Sequence, residues 1–494
     1  MNEQELKSLT AKSIKWNLVD KLATQVLYAV TGIVLACILP HEDFGLVGAI
    51  LIFQAFAQMF IDSGFSSALI QRKEPTQTDY STVLWFNLGI ATLFYIILWL
   101  AAPAIAHLFQ DELRLIPLSR VMFLSFILYA SSIVQANRLM KQMNVRPIAI
   151  TNALGLITGG IVGIWLALTG YGAWAIVWQT IATAGTKSLL LWISTRWLPD
   201  IAFSFDALKS FFKVGSGVMV TSFFNTVFQN IYSFFVGNRL GMTQLGYYTQ
   251  ADKWSKMGIM SVSQTLTSAF LPTLSSVQDD PERFTRAVTK MNRFTAYILF
   301  PAMLFLSLLA QPIFHALFDT KWDMSIILFQ LLLIRGIFTV LSGLYSNYLL
   351  SLARAKMIVA MEVVRDVTSL AALFITLPMM SLTTPGDIVY GIKMMIIGQI
   401  IASIITWLIT LIVAAKASRH HPCQYILHLL PYLIISLTCT AAAYPITLII
   451  TNPWLQTVLL AISMIALYII INHIFKSKLQ KEILQYIFHL KKNS

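Results

Sequence analysis

Fourteen stretches of this chain are apolar over about 20 residues or more, each long enough to cross roughly 30 Å of hydrocarbon as one helix. They run over 16–39, 44–70, 82–102, 117–136, 148–169, 172–194, 214–238, 245–271, 290–310, 325–350, 357–380, 388–415, 425–450 and 454–475. Almost everything between them is a short connector, which leaves no room for a soluble domain of any size. With 57% of 494 residues hydrophobic and only 12% charged, the composition agrees with an integral membrane protein. Strands are excluded, because the runs are too long and lack an alternation of period two. The expected fold is all-α, with fourteen transmembrane helices.

The two halves of the chain repeat each other. A shift of 201 places Gly45 on Gly246 and Ser67-Ala68 on Ser268-Ala269. A shift of 209 or 210 places Ala101 and Pro103 on Ala310 and Pro312, Leu108-Phe109 on Leu317-Phe318, Ser132 on Ser342, Asn137 on Asn347 and Leu139 on Leu349. The identities are few, but they fall at corresponding ends and turns of corresponding apolar runs. Six helices per repeat is an even number, so both repeats have the same orientation about an axis along the membrane normal, with a cleft expected between them. The expected domains are a six-helix bundle over 1–205, its repeat over 206–420, and two further helices with a tail over 421–494. The natural boundary is the connector Thr195 to Lys213, and the two added helices are expected beside the core, away from its cleft. Such a duplication is the usual construction of a transporter.

Charge sets the orientation. One set of connectors holds Lys7, Lys12, Lys15, Arg72, Lys73, Arg138, Lys141, Arg146, Arg196, Lys209, Lys213, Arg283, Arg286, Lys290, Arg293, Arg354, Lys356, Lys416 and Arg419, with a lysine-rich tail from Lys476 to Lys492. The opposite set holds only Arg114, Arg239 and Lys321. The positive-inside rule then places both termini in the cytoplasm, and the cytoplasmic (inner) membrane is the expected location. Much of the formal net charge of +13 is thereby topological, and the dispersed cations form no patch suited to nucleic acid. The first apolar run is too long for a signal peptide and lacks a small-residue cleavage site, so it reads as a retained helix. Cys37, Cys423 and Cys439 suggest neither a disulfide framework nor a metal site.

Ionised side chains inside the runs cost about 2.5 to 3.5 kcal/mol each on insertion scales, so each needs a cavity, a partner or a route to the surface. Lys187 and Arg120 lie near helix ends and can snorkel. Glu362, Arg365 and Asp366 are spaced to pair along one helix. Asp252, Lys253 and Lys256 sit about 10 to 17 Å below the outer end of the run 245–271, at about 1.5 Å per residue. Two lysines against one aspartate leave that turn cationic, beside Tyr247, Tyr248 and Trp254. Arg335 lies too deep in its run to snorkel with ease, and it either lines a cavity or belongs to a buried ion pair.

Uncharged polar residues recur on corresponding helix faces. Lys21, Thr24 or Gln25, Tyr28 and Gly32 share one face of the first run, and Asn225, Gln229 and Ser233 share one face of the seventh. The shift of 201 superimposes these stripes, and Gln54, Gln58 and Asp62 add a third on the second run. Such stripes either line a polar cavity or hydrogen-bond between helices. Gly155, Gly159 and Gly163 form a small-residue ladder for packing. Gly185-Thr186-Lys187-Ser188 lacks the spacing of a phosphate loop, so no nucleotide partner and no cofactor is expected.

The stretch Ala36 to Arg72, ACILPHEDFGLVGAILIFQAFAQMFIDSGFSSALIQR, resembles the start of polysaccharide transporters, the Wzx-type oligosaccharide flippases of the MATE-like MOP superfamily. Leu245-Gly246-Tyr247-Tyr248 through Ala251, Phe270-Leu271-Pro272, Gln278-Asp279-Asp280, Ala310-Gln311-Pro312 with Leu317-Phe318, and Trp322 carry the resemblance onward over about the first 420 residues. Cys37 departs from the family pattern, which has arginine there, and Arg239 stands at the equivalent turn of the second half. The resemblance implies flipping of a polyprenyl-pyrophosphate-linked oligosaccharide between leaflets by rocking of the two bundles. It implies a transporter and no enzyme, with polysaccharide polymerase machinery among the candidate partners. On this reading Lys253, Lys256, Arg335 and Lys21 would meet the pyrophosphate. Tyr28, Gln54, Gln58, Asn225, Gln229 and Tyr248 would meet sugars, and Asp62 and Asp252 are candidate proton or sodium sites. A cation-coupled multidrug exporter shares the fold but should present carboxylates in its cleft. A membrane glycosyltransferase or polymerase would need catalytic loops, and the longest outer connector, roughly Pro103 to Ile116, offers little space.

Overall fold

The computed structural model describes residues 3–62, 64–380, 389–418, 421–477 and 479–482, and no strand occurs among them. Of the basic residues of the connectors and tail, Arg419, Lys478, Lys491 and Lys492 lie outside the described residues. The chain divides into two compact units, Met1–Thr249 and Gln250–Ser494. The first begins with α1 (Glu3–Ile38), α2 (His41–Asp62), α3 (Phe65–Gln71), α4 (Gln77–Leu108), α5 (Leu115–Met122) and α6 (Ser125–Lys141). It continues with α7 (Arg146–Leu168), α8 (Trp174–Thr195), α9 (Phe205–Leu240) and the opening turns of α10 (Met242–Ser275). The second holds the rest of α10, then α11 (Pro281–Phe318), α12 (Asp323–Ser351), α13 (Ala355–Met380), α14 (Tyr390–Ala417), α15 (Pro422–Ala443), α16 (Pro445–Ile449) and α17 (Pro453–Ile474).

Among the described residues, nine helical stretches are long and apolar enough to cross a membrane, one of them containing both α11 and α12. The long helices α8, α9, α10 and α13 are outside that set, and each is interrupted by polar side chains such as Gln179, Gln229, Asp252 and Arg365. Large apolar side chains stand exposed along α7, α8 and α17, among them Ile161 (64%), Leu189 (61%) and Ile462 (60%). Continuous faces of this kind suit lipid and would associate in water. The chain is a multi-pass membrane protein.

Helix ends follow local chemistry more closely than the apolar runs do. Thr76 and Asp79 form a reciprocal capping box at the start of α4. Prolines occupy the first turns of α7, α11, α15 and α17, where a missing N–H costs nothing. The expected connector Pro103 to Ile116 is shorter than the sequence suggested, because α4 continues through Pro103 to Leu108. The apolar run 44–70 breaks into α2 and α3 at Gly64, whose φ of +67° favours glycine. A Cβ there would also lie 2.7 Å from the Gly215 carbonyl oxygen of α9.

Packing in the first unit uses the glycine ladder as expected. A Cβ on Gly159 would fall on the Thr183 hydroxyl, and one on Gly155 would lie 2.9 Å from the Thr183 carbonyl, so α7 and α8 approach backbone to backbone. The connector after α8 is fastened to α4. Gln77 Nε2 donates to the Leu198 carbonyl at 2.7 Å, and Trp85 Nε1 donates to the Asp200 carbonyl at 2.9 Å. The Asp200 and Ser204 amides donate to the Ser81 and Thr82 hydroxyls at 2.9 and 3.0 Å. Trp197 is buried in the core formed by Phe65, Leu69, Tyr80, Val83, Leu84 and Phe211. In the second unit α11 packs against α15 and α17, with Phe305, Cys439, Leu460, Met464 and Tyr468 forming the shared core.

Candidate functional site

In the second unit two helices bring charged side chains together, and a third adds an amide. Asp252 and Lys256 lie one turn apart on α10, so they share a face and pair at 2.6 Å. Arg335 on α12 reaches the other carboxylate oxygen of Asp252 at 3.7 Å, and its second guanidinium nitrogen donates to Gln399 Oε1 on α14. Glycines beside these residues set the approach. A Cβ on Gly336 would fall on the Ile259 side chain of α10, and one on Gly398 would lie 2.7 Å from Thr376 Cγ2 of α13. Removing those side chains lets α12 close on α10 and α14 close on α13.

One carboxylate against two cations leaves the cluster with a formal charge of +1. Side-chain exposures of 13% for Asp252, 20% for Arg335 and 42% for Lys256 leave it partly exposed. At about 4 Å and an effective dielectric near 20, two unit charges interact by about 4 kcal/mol. That is enough to hold the cluster together and little enough to let an incoming anion compete for its cations. Lys253, on the next position of α10, lies with Nζ 4.9 Å from the centre of the Trp254 ring. Gln399 Nε2 and Gln250 Oε1 are buried without a hydrogen bond among the described residues. Of the residues expected from the sequence, Asp252, Lys256 and Arg335 thus meet. Gln399 was not expected, since an isolated glutamine in an apolar run has no spacing partner.

The first unit carries neutral polar stations. Gln54 Nε2 on α2 donates to Ser125 Oγ on α6 at 3.5 Å. The repeat shifts map Ser125 onto Arg335, so the second unit has a cation where the first has a hydroxyl. Asn137 Nδ2 donates to Ser66 Oγ at 2.9 Å, and Ser66 donates to Asp62 Oδ1 at 2.6 Å. Asn347 Nδ2 donates to Thr267 Oγ1 at 3.2 Å, the same pair under the repeat, although Asp62 falls on Ser263. Loss of one such bond costs about 1 kcal/mol. Asn137→Ala and Asn347→Ala should each lower the thermal unfolding midpoint of detergent-solubilised protein by about 1 °C, the first more because Ser66 also holds Asp62; midpoints equal to the parent's would contradict the assignment.

Lys21, Tyr28 and Gln229 are exposed, Gln58 and Asn225 half-buried, and Tyr248 buried. The stripe on α1 includes a carboxylate that the sequence reading passed over. Asp20 accepts from Asn152 of α7 at 3.0 and 3.2 Å and from Thr24 at 3.4 Å. Its position inside the first apolar run was the available signal. Arg365 pairs with Glu362 at 2.6 Å along α13, as the i,i+3 spacing suggested, and also with its neighbour Asp366 at 3.0 Å. Arg120 lies over Trp99 at 4.0 Å. No group of three or more His, Cys, Asp or Glu side chains suited to a metal ion occurs among the described residues.

Comparison with known proteins bears on the same regions. A family model described as "Polysaccharide biosynthesis protein" matches residues 34–327. The succinoglycan biosynthesis transport protein ExoT of Rhizobium meliloti (strain 1021) is 28% identical over 312 residues, covering 63% of each chain. The chain therefore spans somewhat less than two thirds of that relative. The lipopolysaccharide biosynthesis protein WzxC of Escherichia coli (strain K12) is 22% identical over 351 residues, covering 71% of each chain. Among solved structures, the lipid II flippase MurJ in an inward closed conformation superimposes with a TM-score of 0.74 at 16% identity, covering 94% of this chain and 98% of that one. The fold is shared with that protein.

Proposed function

The chain belongs to the polysaccharide biosynthesis protein family, and from that premise we propose that it is a flippase for a polyprenyl-pyrophosphate-linked oligosaccharide, working by alternating access. The supporting observation is the net cationic cluster of Asp252, Lys256 and Arg335 at partial exposure in a bilayer-spanning unit. Pyrophosphate is anionic and bound to a lipid, so its transfer through low dielectric calls for cationic partners. Asp252 acts as the resident counter-ion. When phosphate oxygens displace it from Lys256 and Arg335, the freed carboxylate becomes available to a coupling cation, which links cargo binding to an ion gradient. Gln399, held at its oxygen by Arg335, keeps an amide N–H to offer.

The reading includes fourteen crossings, repeats over 1–205 and 206–420 with two added helices over 421–494, both termini in the cytoplasm, and the inner membrane as location. Polysaccharide polymerase machinery is the partner expected to take the product. Sugars would meet the amides and hydroxyls of Gln54, Gln58, Asn225, Gln229, Tyr28 and Tyr248, with Lys21 and Lys253 as further cations, while the polyprenyl tail stays in lipid.

The test is translocation of a polyprenyl-pyrophosphate oligosaccharide in proteoliposomes. The parent should move it faster than empty vesicles do, and Lys253→Ala with Lys256→Ala should slow it about tenfold, the equivalent of about 1.4 kcal/mol in cation–anion contact. A parent no faster than empty vesicles would overturn the function. A double variant at the parental rate would overturn the site.

A further inference from the structure

At one end of the first unit, the end read as cytoplasmic in the proposed orientation, α3, α4 and α6 bring three cations and one carboxylate together. Arg72 pairs with Asp79 at 3.0 Å and donates to Ser210 Oγ at 3.5 Å. Lys141 Nζ donates to the Ile70 carbonyl at 3.1 Å and to the Arg72 carbonyl, which caps the end of α3. Both of these cations are engaged. Arg138, one turn before Lys141, is half-buried, with its guanidinium 5.9 Å from the centre of the Tyr80 ring and 5.8 Å from that of Trp197. The two rings are themselves buried and 6.2 Å apart, and Trp197 Nε1 donates to Gln77 Oε1 at 2.5 Å. They seat the guanidinium without taking its donors. Among the described residues it has neither an ion pair nor a hydrogen bond, so its five N–H groups are left for a ligand.

The chain just after Trp197 says which kind. Leu198, Ile201 and Phe205 are exposed, Ile201 almost wholly (99%), although hydrogen bonds from Gln77 and Trp85 to the Leu198 and Asp200 carbonyls fix this connector on α4. A held segment that keeps apolar side chains out of the core suits acyl chains. A free guanidinium beside it suits phosphate, which it can bind through two parallel N–H groups. We infer that Arg138, seated on Tyr80 and Trp197, binds the phosphate of an anionic glycerophospholipid of the cytoplasmic leaflet, whose acyl chains lie against Leu198, Ile201 and Phe205. Arg72, Arg138 and Lys141 against Asp79 leave a formal charge of +2, and basic pockets between helices at that surface bind such head groups. The bound lipid anchors the connector to the bilayer. The inference goes beyond the flippase reading, and only the choice of leaflet rests on the proposed orientation.

The test uses full-length protein in nanodiscs of phosphatidylcholine with a small share of phosphatidylglycerol that carries a photoactivatable diazirine on an acyl chain. After irradiation, adducts mapped by mass spectrometry should concentrate on residues 197–205. Their yield there should fall about fivefold in Arg138→Gln, as one cation at an anionic lipid surface contributes. Arg146→Gln, which removes an exposed cation lying over Trp16, should leave the yield at the parental level. Equal yields in the parent and in folded Arg138→Gln overturn the inference. If that variant does not fold, Ile201→Asp decides, since so exposed a side chain carries no packing; its yield should fall as well, and a parental yield overturns the inference. Loss of the adduct on adding an equimolar polyprenyl pyrophosphate overturns it too, because the occupant is then the cargo. Nothing is transported in this measurement and the two leaflets of a nanodisc are alike, so failure of the flippase reading or of the orientation leaves its result unchanged.

Discussion

Arg335→Ala is expected to lower translocation of lipid-linked oligosaccharide about a hundredfold, a loss of about 2.7 kcal/mol in transition-state stabilisation. The guanidinium bridges two helices through one planar group, reaching Asp252 on α10 and Gln399 on α14. Removing it leaves Asp252 paired only with Lys256 and makes the cluster formally neutral. Breaking a buried ion pair from one side costs about 3–5 kcal/mol, but exposures of 20% and 13% bring solvent screening that reduces the stability loss to about 2 kcal/mol. Transport should therefore fall further than stability. Arg335→Lys separates charge from geometry, because an ammonium restores +1 but cannot hold both partners with a planar fork. Its rate should lie between parent and alanine. Asp252→Asn should do the opposite to binding, since two cations lose their resident counter-ion and retain the anion longer. Rates measured in proteoliposomes, beside unfolding midpoints, check all three; an Arg335→Ala variant at the parental rate would remove the cluster from the mechanism.

Asp79→Ala should destabilise the first unit by about 2–3 kcal/mol. Asp79 is 3% exposed and accepts from the Thr76 amide at 2.8 Å, closing the capping box of α4. It also pairs with Arg72 at 3.0 Å, and that guanidinium lies 5.3 Å from the centre of the Phe211 ring on α9. The cap contributes about 1 kcal/mol. The ion pair adds about 1–2 kcal/mol, discounted because Arg72 is 39% exposed. Beyond α4, the first turns carry the hydroxyls and amide that fasten the connector, so fraying there should also loosen residues 196–204. The expected result is a lower unfolding midpoint together with faster tryptic cleavage at Arg196, and a smaller effect in Asp79→Asn, which keeps one acceptor. A midpoint and cleavage rate equal to the parent's would show that the capping box does not hold the connector.

Much of this architecture is legible along the chain because the physics involved is short-range. A run of about 20 apolar residues must be a helix in a bilayer. Spacings of three and four put Asp252 with Lys256, and Glu362 with Arg365, on one face, and the structure pairs both couples. The glycines at 155, 159 and 163 announced a close helix contact without naming its partner. The ends of helices were read less well. Caps outweigh hydropathy at their starts, and α4 runs past Pro103 to Leu108 although the proline suggested an end there.

What the sequence by itself determined is an all-helical chain of long apolar runs and the excess of positive charge in one turn of α10. Tertiary structure alone decided that Arg335 faces Asp252, that Gln399 joins them and that Asp20 is held by Asn152. Hydrophobic periodicity specifies which face of a helix is apolar but not which helix covers it. Contacts between residues 64 or more positions apart arise only once the helices have packed against one another.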